Sequence, residues 1–263
     1  MAKSNITSFD NLTLQDLEAE AELIPLLTTE DEEALRNEEL PEEVSILPLR
    51  NTVLFPGVVI PITAGRDKSI QLIKDANKSN KIIGVVAQKD QNIENPSTGD
   101  IYSLGTVAQI LRVLKMPDGN TTVIIQGKRR FEIKSIVSDE PYLKATIKPV
   151  DEIYPDKDNS EFKAIIDSIK EMALKIIQEN PNIPSEASFA IKNIQSYAFL
   201  INFVASNMNL PVKEKQRILS IFDLQKSAIE CLKLMNIEFQ KLELKNDIQS
   251  KVRTDLDQQQ REY

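Results

Sequence analysis

Histidine and tryptophan are absent from this 263-residue sequence, and cysteine occurs once, at Cys231. Without histidine there is no Ser-His-Asp or Cys-His catalytic arrangement and no histidine-ligated zinc. A single cysteine excludes an internal disulfide and a four-cysteine metal site, and it fits a reducing compartment. Glycine occurs only seven times, and no Gly-x4-Gly-Lys-Ser/Thr phosphate loop can be assembled. The nearest candidate, Gly127-Lys128, has Thr122 where the first glycine should stand and Arg129 where Ser or Thr should follow. No apolar run approaches the ~20 residues that span a bilayer. The opening Met1-Ala-Lys-Ser-Asn-Ile-Thr7 lacks the apolar stretch of a secretion signal. The expectation is a cytoplasmic chain with no membrane span, no metal and no nucleotide cofactor of its own.

What is present is ordinary for a globular protein: 41% hydrophobic and 27% charged residues. The length suits one large domain or two small ones. The net charge of −8 is unevenly placed: residues 1–43 carry 13 acidic groups against Lys3 and Arg36, a net −11, which leaves +3 for the rest. An acidic chain does not point to nucleic acid. Residues 1–43 read as a flexible acidic tail. Within it, Thr29 followed by Glu32 matches a capping box and permits a short helix over Glu30–Leu35.

Residues 44–150 read mainly as strands: Ser45–Leu49, Val58–Ile62, Ile82–Gln88, Gly105–Leu114, Thr121–Gln126, Phe131–Val137 and Leu143–Val150. One amphipathic helix is expected over Arg66–Lys78. Pro117-Asp118-Gly119-Asn120 marks a tight hairpin, because Asp-Gly supplies the positive φ angles such a turn needs. Seven short strands and one helix imply a small, strongly bent sheet or partly closed barrel. Residues 151–159 read as a linker. The period then becomes helical from Ser160, with a first stripe ending at Asn180-Pro181 and further helices over Ser185–Ile194, Ser196–Asn207 and Val212–Ile221, making a bundle over residues 151–222. Asp223 caps a last long helix, residues 223–263. Its apolar positions Leu232, Met235, Phe239 and Leu242 thin out beyond Lys245, so its far half projects or pairs with other chains. The fold class is therefore α+β: a bent β domain, then an all-α bundle ending in a protruding helix.

Several blocks resemble one family in the same order: Pro48-Leu49-Arg50-Asn51, Phe55-Pro56-Gly57 with Pro61, Val85-Val86-Ala87-Gln88-Lys89-Asp90, and Leu104-Gly105-Thr106-Val107-Ala108. The hairpin Leu114–Asn120, then Gln126-Gly127-Lys128-Arg129-Arg130-Phe131 and Pro141-Tyr142-Leu143-Lys144-Ala145, complete the series. Together they resemble the N-terminal region of Lon, the ATP-dependent protease, over roughly residues 44–263. The resemblance implies a PUA-like β domain that captures unfolded or tagged proteins and supports a hexameric ring. It also implies that ATP, Mg2+ and a Ser-Lys protease dyad belong to polypeptide following Tyr263, and that this segment has no catalytic residues.

A binder of unfolded chains needs exposed apolar patches or an open strand edge. Three residues are candidates. Pro61 interrupts Val58–Ile62 and places that strand at a sheet edge; it either presents the edge to clients or protects it from aggregation. Ile124 shares a face with Thr122 and Gln126, which suits a client contact or a second packing layer. Met116 at the hairpin tip is either an adaptable apolar contact or an ordinary loop residue. Lys128-Arg129-Arg130 reads as a solvated strand end rather than a nucleic-acid patch, with its charge split between faces. Cys231 reads as a packing residue. A stand-alone ligand- or degron-binding module on the same fold is the rival reading.

Overall fold

The computed structural model describes residues 27–184 and 186–261. In chain order these form α1 (Thr29–Asn37), β1 (Glu43–Leu49), β2 (Val59–Ala64), α2 (Asp67–Lys78), β3 (Ile82–Ala87), β4 (Leu104–Lys115), β5 (Thr121–Ser138) and β6 (Lys144–Pro149). The helical half follows as α3 (Ser160–Glu179), α4 (Glu186–Asn193), α5 (Tyr197–Asn207), α6 (Val212–Leu219) and α7 (Leu224–Arg261).

The strands make one mixed sheet in the order β2-β5-β4-β3-β1-β6, and a further β5–β6 pairing turns it back on itself. Only β1 and β3 run parallel. The return depends on the 18-residue β5. Its first part pairs with β2 through Thr121–Gln126 and its last part with β6 through Phe131–Ser138. One strand can serve both ends because bulges bend it: extra residues at Lys128-Arg129, Lys134 and Val137 break the register with β4 and β6. The expected bent sheet is therefore present, as six strands rather than seven. The predicted break between Thr121–Gln126 and Phe131–Val137 is a bulge that the strand runs through. Gly127 makes this possible. Its N–H donates to the Val58 carbonyl (2.9 Å) and its carbonyl accepts from the Gly57 N–H (2.9 Å). A Cβ at Gly127 would stand 2.2 Å from the Phe55 carbonyl oxygen, so no larger residue fits.

Helix α2 lays Leu72, Ile73 and Ala76 on Leu47, Leu49, Ile110, Val123 and Ile125. Val44, Ile46, Val86, Val107, Phe131, Ala145 and Ile147 form a second cluster. In the helical lobe, α3 starts at Asn159, whose side chain accepts from the Phe162 N–H (2.9 Å). It buries Phe162, Ile166, Ile169, Ala173 and Ile176 at helical spacing. Helix α5 is apolar on nearly every side and forms the lobe's centre. Val53, Phe55 and Val58 of the β1–β2 loop belong to this helical core, so the two lobes share apolar packing. Residues 151–159 are fixed along the bundle: the Ile153 N–H donates to the Phe222 carbonyl (2.8 Å), and the Leu224 N–H to the Ile153 carbonyl (2.9 Å).

Helix α7 has 38 residues, about 57 Å at the α-helical rise. Leu224, Ala228, Cys231 and Met235 bury it against the bundle. Asn246 Nδ2 still donates to the Glu179 carbonyl (3.1 Å). Beyond it Ile248 and Val252 are half exposed, as a projecting rod requires.

The acidic extension needs a correction. Residues 1–26 lie outside the described residues. Residues 27–43, expected to be flexible, include a capped helix packed on both lobes. Its cap also sits one residue earlier than expected. Thr28 Oγ1 accepts from the Asp31 N–H (3.1 Å), and Asp31 Oδ2 accepts from the Thr28 N–H (3.0 Å). This segment is ordered despite its charge because Leu27 is buried and because Glu32 and Glu38 each find a partner on the body.

Candidate functional site

Strand β2 pairs with β5 alone among the described residues, so it is a sheet edge, as Pro61 implies. Pro61 is exposed. Directly opposite it in the register lies Ile124, and beyond Ile124 lies Arg112. Opposed residues share a face, yet Ile124 keeps only 9% of its surface. Of the two readings of Ile124, its burial favours the second packing layer over a client contact. It lies on a strand paired on both sides, with β2 and β4.

The hairpin forms at the expected place, but Gly119 alone supplies a positive φ and Asp118 does not, so the turn is a three-residue loop over Pro117-Asp118-Gly119. Gly119 has φ +88, and the Met116 N–H donates to the Asn120 carbonyl (2.9 Å). Met116 is half buried at its base. Since Ala64 pairs with Thr121, the hairpin adjoins the end of β2. Pro61, Ile124 and Met116 thus occupy one corner of the sheet, with Ile124 beneath its surface.

The same corner carries a residue that sequence reasoning missed. β4 has an extra residue between Ile110 and Arg112, opposite Ile125 and Ile124. This bulge residue is Leu111, and 46% of it faces solvent. A signal was available. Ile110-Leu111 places two apolar residues in succession, followed by Arg112 and then Val113-Leu114, which no period-2 strand accommodates without a bulge.

The basic cluster is built differently from a solvated strand end. The bulge in β5 sets Lys128 and Arg129 against the single residue Val107 of β4, which defeats simple alternation. Lys128 pairs with Glu38 (3.2 Å) and Arg129 with Asp151 (2.7 Å). Arg129 Nη1 also donates to the Glu38 carbonyl (2.8 Å). Arg130 is buried and ion-paired with Glu152. Its Nε donates to the Leu219 carbonyl (3.0 Å) and its Nη2 to Asn202 Oδ1 (3.3 Å). Burial pulls its pKa down to about 10, partly opposed by Tyr154 and Cys231. It therefore stays charged at neutral pH and joins β5, the 151–159 segment, α5 and the end of α6. The Tyr154 hydroxyl donates to Glu152 Oε2 (3.0 Å), and burial first, then Glu32, pushes its pKa up.

Between these residues, α1 and α5 lies a cavity of about 170 Å³. Cys231 is fully buried, and desolvation pushes its thiol up to about 12, which agrees with packing rather than reactivity. Among the described residues, no cluster of His, Cys, Asp and Glu could hold a metal ion, and no helix is long and apolar enough to cross a membrane.

A fold of a bent six-stranded sheet, a helical bundle and a long terminal helix now stands beside the ordered sequence blocks. Residues 43–237 match the family described as the ATP-dependent protease La (LON) substrate-binding domain. The chain belongs to the Lon family. It is 68% identical over 263 residues to a Lon protease of Flavobacterium johnsoniae, covering 100% of this chain and 32% of that protein. It is 51% identical over 242 residues to a Lon protease of Cytophaga hutchinsonii, covering 92% of this chain and 30% of the relative. The chain thus spans under a third of the length of these Lon relatives. The N-terminal domain of a Mycobacterium avium complex Lon protease has the same fold, with a TM-score of 0.60 and 21% identity, over 74% of this chain and 98% of that one. The Lon substrate-binding match begins at the first residue of β1 and ends within α7, so α1 precedes it.

Proposed function

We propose that the chain is the substrate-recognition and assembly region of an ATP-dependent Lon protease that degrades misfolded, damaged and short-lived regulatory proteins in the cytoplasm. In this reading, residues 1–263 break no bond. A nucleotide site using ATP and Mg2+, and a Ser-Lys dyad, lie elsewhere in a polypeptide that assembles as a hexamer. The Lon relatives, about three times as long, support it, as does the missing phosphate loop.

Unfolded clients engage the β2–β5–β4 corner. The observation that carries this is the exposed bulge residue Leu111 on β4, two strands in from the unpaired edge of β2 across β5, with the part-buried Met116 at the adjoining hairpin. Apolar side chains at an open strand edge offer an unfolded chain both burial and backbone partners. The β lobe holds Leu111 on a bulge of β4 and Met116 in the hairpin that follows it. Nucleic acid is disfavoured as a partner, because Lys128, Arg129 and Arg130 each meet an acidic partner within the protein.

Fluorescence anisotropy with a labelled, permanently unfolded casein tests the reading. The intact chain binds, and Leu111→Asp combined with Met116→Asp weakens binding about tenfold, as expected when roughly 1.4 kcal/mol of apolar contact is lost. Unchanged affinity in the double variant would remove this corner from the account.

A further inference from the structure

Helix α1 is too short to be stable by itself, since isolated helices below ~12 residues are marginal in water. It also buries none of its own nine residues fully. What holds it is a set of complementary features on the cleft between the lobes. Leu27 sits in a notch over Gly57 and Phe199; a Cβ on Gly57 would approach its Cδ1 to 2.6 Å. Gly57 also has φ +79, so the backbone requires glycine and the notch stays open. Glu32 accepts a hydrogen bond from Ser196, the N-cap of α5, and so places negative charge at the positive end of an 11-residue helix. Arg36 stacks on Tyr154 at 3.8 Å from the ring centre. Glu38 answers Lys128 and gives its carbonyl to Arg129. Leu35 packs against the helical core without being fully buried.

We propose that this cleft is a docking site for acidic, leucine-bearing helical peptides, and that residues 27–38 occupy it in cis. The occupant's chemistry is read from the cleft. An apolar notch lies at one end, a helix N-terminus stands in the middle, and two cations stand at the other end. Such a surface selects leucine, then acid, then acid, in the order that residues 27–38 provide. A cavity of about 170 Å³, lined by charged residues such as Arg130 and Glu152 as well as by Leu27 and Phe199, adjoins the strap. None of the helix's own residues is fully buried and the Glu38 side chain of its ion pair is partly exposed, so the strap can leave without unfolding either lobe. The inference stands apart from the client contact at the β2–β5–β4 corner: the residues differ, and either can fail alone.

The test uses the full chain and a fluorescent peptide with the sequence of residues 27–40. A variant carrying Leu27→Ser and Leu35→Ser, checked for an unchanged sheet signal by circular dichroism, binds the peptide at least tenfold tighter than the intact chain, because its own strap competes less. Adding Lys128→Glu and Arg129→Glu abolishes that binding, and a scrambled peptide of the same composition does not bind. In the intact chain, excess peptide raises hydrogen exchange at the amides of residues 29–37, a readout that needs no variant to fold. Equal affinity for intact and loosened chains, or binding of the scrambled peptide, would overturn the proposal. Dimerisation of the loosened chain with no peptide binding would also overturn it, and would assign the cleft to strap exchange between copies.

Discussion

At the scale of single residues, Arg130 shows most clearly how far position in sequence misleads. Next to Lys128 and Arg129 it looks like part of a wet basic run, but its partners Glu152, Asn202 and the Leu219 carbonyl come from distant segments. No local pattern announces a buried pair assembled by tertiary packing. Replacing it by alanine leaves Glu152 buried without its cation, so Arg130→Ala destabilises the fold by about 3–5 kcal/mol, to be read from the shift in urea midpoint. Cys231 was legible, because its neighbours on a helix face are apolar and burial follows. With its thiol pushed up to about 12 inside the core, it stays unmodified by iodoacetamide at pH 8 in the native chain and reacts fully in urea. Rapid native labelling would contradict that burial. Leu111 was the reverse case. Its exposure depends on a bulge that only the pairing with β5 reveals.

At the scale of elements, hydrophobic period and turn chemistry located the strands and the α-helix Asp67–Lys78 of the β lobe to within a few residues. They failed where two strands are one. Gly127 and the basic residues after it read as a connection, yet Gly127 is there because the Phe55 carbonyl leaves no room for a side chain. Gly127→Ala should cost about 3 kcal/mol, the upper end for forced overpacking, and should lower the thermal midpoint accordingly. Helix α1 was visible as a capping signal one residue out of place, while its docking was not visible, since its anchors lie on β5 and α5. Its cap predicts a pH response. The Thr28 hydroxyl, and then the Thr28 N–H, hold the Asp31 carboxyl below its ordinary range. A carboxyl with a lower pKa in the folded state stabilises above its unfolded value, near 3.9, and ceases to do so as pH falls through the folded value. The protection of amides 28–34, taken relative to their pH-dependent intrinsic exchange rates, should therefore be flat at pH values above about 5 and fall on acidification below about 4, before the sheet responds. Thr28→Ala should remove that acid step. An acid step that survives in Thr28→Ala would contradict the assignment.

At the scale of the whole molecule, the α+β division was legible because, past the single helix over Asp67–Lys78, the apolar period passes from two to 3.6 near Ser160 and stays there. What the period could not convey is that the β1–β2 loop enters the helical core through Phe55, so that the halves brace each other. The resulting body places an open sheet corner at one end and carries a rod that leaves the bundle beyond Asn246. In the proposed function, this body holds unfolded protein at that corner. The most direct measurement is hydrogen exchange of the chain with and without the permanently unfolded casein. The account predicts new protection confined to residues 59–64 and 110–118. Protection absent from both segments while casein is bound, or confined to the rod over residues 244–254, would contradict it.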